Sequence, residues 1–111
     1  MQEFFEAIRH LAGGEVYALV APADAQYPIL VYTPVDQSHV IALDGPNELR
    51  RARVQVDAYA RTFDAALQLQ DEVLAALLAD INSIADVRME LSEFDIDARV
   101  YRVCVDYTYY R

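Results

Sequence analysis

Lysine and tryptophan are absent from this 111-residue chain, cysteine occurs once and glycine three times. Each shortage removes a class of function. The lone Cys104 can close no internal disulfide, and with only two histidines it supplies no structural zinc set. Glycines at 13, 14 and 45 cannot build a glycine-rich phosphate cradle, which excludes nucleotide binding through such a loop. Although 55% of the residues are hydrophobic, no apolar run approaches the roughly 18 residues that cross a bilayer, so no membrane contact is expected. Met1 to Leu11 opens with acid where a secretory leader is basic, so export is not expected either. Basic charge is scarce as well. All nine basic residues are arginine against 18 acids, for a net charge of −9, and long-range attraction to phosphate backbones is lost.

What remains is enough for one domain, residues 1–111, with a single core that hides about two-thirds of the surface of the unfolded chain. Its most informative stretch is Arg51 to Thr62. Ala52, Val54, Val56, Ala58 and Ala60 alternate with Arg51, Arg53, Gln55, Asp57, Tyr59 and Arg61, the two-residue period of a strand with one buried face. After Thr62 the period becomes helical: Phe63, Ala66, Leu67, Gln70, Val73, Leu74, Leu77, Leu78 and Ile81 recur at spacings of three and four. Thr62 offers a side-chain oxygen to the first turn as an N-cap. A strand therefore feeds a long core helix directly.

The other elements follow from the same two periods. Phe4, Phe5, Ile8 and Leu11 share a helical face that Gly13-Gly14 ends, which predicts a three-turn amphipathic helix. Val16 to Ala21 is apolar but short and fits either a helical turn or a strand, with Pro22 as its stop. Tyr27 to Thr33 reads as a strand with Pro28 at its start. Pro34 to Leu49 reads as a long loop around the turn signal Asp44-Gly45-Pro46-Asn47, with a short strand possible at His39 to Leu43. Val87, Met89 and Leu91 alternate with Arg88, Glu90 and Ser92 as a third strand. In a fourth, Tyr101, Val103, Val105, Tyr107 and Tyr109 face inward, and Arg102, Cys104, Asp106 and Thr108 outward. The expected fold is α+β: a four-stranded, mainly antiparallel sheet with an N-terminal helix and one long central helix on one face. Its other face, carrying Arg51, Arg53, Gln55, Asp57, Arg102, Asp106 and Thr108, has no segment left to cover it. Such a face is either wet or packed on another subunit.

Catalytic readings fare poorly. Ser38 beside His39 resembles a nucleophile–base pair, but neighbours on extended backbone point to opposite sides. His10 near the end of the first helix complements the helix dipole. Glu90, Glu93, Asp95 and Asp97 are acids of the kind hard cations take, yet their spacing matches no EF-hand loop, and a solvated turn explains them. No catalytic, cofactor or metal residue is therefore assigned. Cys104 reads as a small apolar filler. Of the eight tyrosines, Tyr101, Tyr107, Tyr109 and Tyr110 crowd the last strand, and Tyr109, Tyr110 and Arg111 form an aromatic–arginine end of the kind enriched at interfaces.

Val16 to Pro22, Tyr27 to Tyr32, and Arg51 to Thr62 with its following helix together resemble the tail-completion or tail-terminator proteins of long-tailed bacteriophages and prophages. The likeness spans nearly the whole chain and lies in the order and spacing of the elements. It implies an α+β subunit of the virion neck, assembled in the host cytoplasm into a six-membered ring on the head-proximal end of the tail tube. Such a ring stops tube polymerisation and offers a docking surface to the head connector, while DNA passes through the bore without specific binding. The neighbouring possibility is a stopper or head-completion ring; the one outside this class is a small metal- or ligand-binding enzyme using Glu90 to Asp97. On the leading reading the residues of interest lie at interfaces. Asp36, Gln37, Ser38, His39, Asp44 and Asn47 in the long loop would meet a tube or connector partner, Arg51, Arg53 and Asp57 a neighbouring subunit, and Tyr109, Tyr110 and Arg111 either.

Overall fold

The structure, a computed structural model, describes residues 2–41, 48–81 and 84–110, with residues 36–41 and 48–50 described by their backbone alone. The order of elements is α1 (Gln2–Ile8), a 3-10 turn (Ala12–Gly14), β1 (Val16–Ala18), β2 (Ile29–Ile41), β3 (Glu48–Ala60), α2 (Phe63–Asp80), β4 (Ile84–Asp95) and β5 (Val100–Tyr110). The sheet has five strands in the order β1-β2-β3-β5-β4, not the expected four. Val16 to Ala18 supplies the extra one: it pairs in parallel with Leu30 to Tyr32, which makes the sheet mixed. At three residues it carried too little pattern to separate strand from turn.

β3 lies at the centre and behaves as its sequence demands. Ala52, Val54, Val56, Ala58 and Ala60 are all buried beneath the helices. Thr62 caps α2, its Oγ1 accepting from Ala65 N at 3.1 Å. The helix buries Ala66, Leu69, Gln70, Val73 and Leu77. Leu78 is exposed instead, because Leu69 takes the core side of the stripe. α1 is shorter than expected, ending at Ile8, yet Phe4 and Ile8 are buried and the Phe4 ring stacks on Tyr109 at 5.8 Å between centroids. The chain then turns sharply through Ala12, Gly13 and Gly14, all at positive φ; the glycines adopt it without a Cβ clash.

A buried polar junction fastens α2 to the sheet. The Gln70 amide Nε2 donates to the Val56 and Val103 carbonyls of β3 and β5, each at 2.8 Å, and its Oε1 accepts from the Tyr107 hydroxyl at 2.8 Å. Gln70 thus sits among apolar residues with both ends of its amide satisfied, and the small alanines of β3 let the helix approach closely enough for that reach.

Two expectations about strands are corrected. The segment from Pro34 onward is not a loop: β2 continues through it, with a bulge between Pro34 and Asp36, and pairs with β3 as far as Ile41 opposite Glu48. Pro34 is tolerated there because it sits at a bulge, on a part of β2 that β1 does not pair. In β4, bulges between Ile84 and Asp86 and between Met89 and Leu91 change the phase. Val87 and Met89 lie opposite the inward Tyr107 and Val105, whereas Leu91 lies opposite Cys104 on the other face. One inserted residue moves every later side chain across the sheet.

β3 and β2 outrun β5, whose last paired residue, Tyr110, lies opposite Arg51. The β2–β3 hairpin from there to Ile41 and Glu48 is therefore an arm beyond the helix-covered sheet. It accounts for principal dimensions of 53 × 23 × 22 Å and a radius of gyration of 15.0 Å, against about 13 Å for a compact chain of this length.

Replacing Gln70 with Leu removes both donations to the strand carbonyls and leaves the Tyr107 hydroxyl only the longer 3.4 Å bond to the residue-70 carbonyl, and we expect a loss of about 3 kcal/mol in urea unfolding. Tyr107→Phe removes one bond and costs about 1 kcal/mol. A Gln70→Leu variant as stable as the parent would show that the junction does not hold the helix.

Candidate interaction surface

The sheet face away from the helices is built by alternation. From β2 it takes Ile29, Val31 and Thr33; from β3 Arg51, Arg53, Gln55, Asp57 and Tyr59; from β5 Arg102, Cys104, Asp106 and Thr108. It is not bare, contrary to expectation. Residues 19–27 turn back over its β2 side, starting at Leu19 with a positive φ, and enclose a groove of about 560 Å³ floored by Gln55, Asp57, Tyr59 and Arg102. Ile29 and Val31 are buried under this cover, outside the core beneath the helices. Arg61 stacks over the Tyr27 ring at 5.3 Å, fastening one end of the cover.

Charges on this face are arranged as a ladder across the strands. Arg102 donates from Nε to Asp57 Oδ1 and from Nη1 to Glu93 Oε1, both at 2.9 Å, joining β5 to β3 and β4. Arg53 donates from Nε and Nη2 to Asp106 Oδ2 at 3.2 and 3.0 Å. Asp57 and Asp106 are only 5% and 6% exposed, so their charges depend on these partners. The other oxygen of Asp106, Oδ1, is buried with no hydrogen-bond partner among the described residues. Burial works against the Arg102 charge, but its bonds to Glu93 and Asp57 outweigh that and raise its pKa. Burial, with Asp57 adding to it, pushes the Cys104 thiol up to about 12, so Cys104 is an inert filler at neutral pH.

Most residues expected at interfaces can now be placed. Arg53 and Asp57 have partners within the chain, and Arg51 lies on the same face at the base of the arm. Tyr109 is wholly buried against Phe4, so it belongs to the core and is removed from the contact surface, while Tyr110 at the strand end is partly exposed. Asp36, Gln37, Ser38 and His39 lie in β2, their backbone paired with Arg53 to Arg50. Asp44, Asn47 and Arg111 lie outside the described residues. Among the acids weighed for a cation, Glu93 is paired with Arg102 and Asp95 Oδ1 accepts from Asp97 N and Ala98 N in the β4–β5 turn; no grouping of three metal-type ligands occurs among the described residues. Arg102 is the residue whose role the sequence reading missed. Its signal was available, because a hairpin turning at Ile96 to Arg99 sets Glu93 opposite Arg102.

Among the described residues of this face, Asp57 and Asp106 are both paired with arginines of neighbouring strands. The profile of the family described as Tail completion protein gp17 matches residues 6–110. The chain belongs to the tail completion protein family. It is accordingly a phage tail structural protein. Among solved structures, a chain from "Virion of native gene transfer agent (GTA) particle" has the same fold, with a TM-score of 0.52 and 11% identity over 96% of this chain and 90% of that one. No curated protein sequence matches.

Arg102→Leu strands Asp57 and should cost about 2 kcal/mol in urea unfolding, below the roughly 3–5 kcal/mol of a fully buried pair because the guanidinium is partly exposed. Glu93→Gln, at the exposed end of the ladder, should cost less than about 1 kcal/mol. Cys104 titrates near 8.5 when unfolded and about 12 when folded, so its contribution is intact below the first value and lost as pH rises through the second. Unfolding free energy should therefore fall across that alkaline window, and Cys104→Ala should lessen the fall; an equal fall in both proteins would contradict the assignment.

Proposed function

We propose that this tail completion protein is a ring-forming terminator in the virion neck, capping the head-proximal end of the tail tube, stopping its polymerisation and presenting the surface on which the head connector docks. The observation that carries this reading is membership of the tail completion family over residues 6–110. The shape is consistent with it. A helix-backed sheet makes a rigid body, and the hairpin arm supplies reach that one small domain has no internal use for. The partners are copies of itself in a six-membered ring, the tube protein below and the connector or stopper above. Its action is surface complementarity without catalysis.

Charge supports the same role. At −9 per copy, a ring accumulates negative potential, and any share of it that lines the bore repels DNA and lets the genome pass without sticking. Assembly would take place in the host cytoplasm, before heads and tails join.

Deleting the gene separates this role from the neighbouring one. A terminator's absence should give overlong tails in electron micrographs, whereas tails of normal length beside unjoined heads would identify a stopper and overturn the terminator reading.

A further inference from the structure

The helix layer stops short of one edge of the sheet. α2 lies over β3 and β5, while β4, the outermost strand, is exposed from Ala85 to Asp95. Beside α2 the inner side of β4 forms a groove of about 140 Å³, with Leu67, Asp71 and Leu74 on the helix wall and Val87 and Met89 on the strand. Toward the start of α2 a second hollow of about 220 Å³ is lined by Phe63, Phe94 and Tyr101, the last two with ring centroids 4.9 Å apart. Val87, Met89 and Phe94 are 41%, 56% and 48% exposed, so apolar side chains stand uncovered down the inner side of the strand.

The spacing along α2 indicates the shape of the occupant. Asp64, Leu67, Asp71, Leu74 and Leu78 follow one another at intervals of three, four, three and four, the repeat by which one helix packs along another. This stripe lies to one side of the core-facing set Ala66, Leu69, Val73 and Leu77. Leu67 and Leu74 are half-buried at the core margin, and Asp64, Asp71 and Leu78 are exposed. The stripe runs about 21 Å, close to four helical turns. A helix set beside α2 at the usual interaxial distance of about 8–10 Å would lie over β4, one strand or about 4.8 Å beyond β5. An added strand fits less well, because β4 is bulged twice and charged, which blunts its edge against pairing.

Charge indicates whose helix it is. α2 carries no base, and neither Asp64 nor Asp71 forms an ion pair among the described residues. A second copy of this chain makes a poor occupant. Its α2 would set the same acids against these, while its α1 spends Phe4, Ala7 and Ile8 on its own core and the adjoining Arg9 pairs with Glu6. Like charges facing one another are penalised, so the two acids reject a copy and accept a base.

Resting on the neck reading, we infer that the α2–β4 groove receives an amphipathic helix of a different virion protein, with apolar residues at spacings of three and four and Lys or Arg opposite Asp64 and Asp71. The apolar centre supplies the contact, and the acids select the partner and fix its register.

The test uses the full chain in assembled particles. A photoactivated benzophenone amino acid in place of Leu78, and separately of Met89, should cross-link to a peptide of another virion protein that carries bases at that spacing, identified by mass spectrometry. Asp64→Arg combined with Asp71→Arg should leave far-UV circular dichroism unchanged and cut the yield of infectious particles at least about tenfold, and Asp64→Asn with Asp71→Asn should cut it less. Cross-links only to a second copy of this chain, none from either position, or an unchanged yield with both acids reversed would each overturn the groove, while the terminator reading keeps its own test in tail length. Particles that never incorporate the parent chain would remove both.

Discussion

The Gln70 amide sits at the point where every layer of this protein meets. It bonds a carbonyl on each of the two central strands and takes the hydroxyl of Tyr107 on the second of them. An unpaired amide in that position would be costly, so the helix has one depth and one rotation at which it can dock. That rotation has consequences at a distance. With Leu69, Val73 and Leu77 turned to the core, Leu67 and Leu74 pack half-buried at its margin and Leu78 is left exposed. One buried junction thus determines both the core and its margin.

The opposite face obeys a different constraint. There the sheet buries carboxylates beside Ile29, Val31 and Cys104, and each carboxylate is held by a guanidinium from a neighbouring strand: Asp57 by Arg102, Asp106 by Arg53. Ion pairs of this kind contribute modestly to stability, but they penalise any slip of register, because a slip would strand a buried charge. The cover formed by residues 19–27 strengthens that penalty at Asp57. A subunit that must present defined surfaces to several partners benefits from a sheet whose register is fixed on both faces.

How much of this was legible in the sequence depended on whether local pattern agreed with tertiary placement. Arg51 to Thr62 was readable because β3 is central, regular and buried on one side, so alternation and burial coincide. The inward set of β5 was readable for the same reason. β4 was misread beyond Met89, since a bulge leaves no mark in the spacing of side chains. The arm was hidden by Pro34 and by the turn signal at Asp44 to Asn47, which made paired strand look like loop. Burial of Asp57 could not be seen at all, because residues 19–27 fold back beside it from elsewhere in the chain. Tyr109 was legible as inward-facing, and its core position follows from the alternation that placed it there.

The family supplies the context, a phage tail, and the structure supplies a fixed helix–sheet body and an arm. The central claim is that these surfaces assemble the chain into a closed ring at the head-proximal end of the tail. Cryo-electron microscopy of isolated tails tests it most directly. The account predicts a six-fold ring of this fold capping the tube at that end; this chain found along the tube, at the distal tip, or as isolated single copies would contradict it.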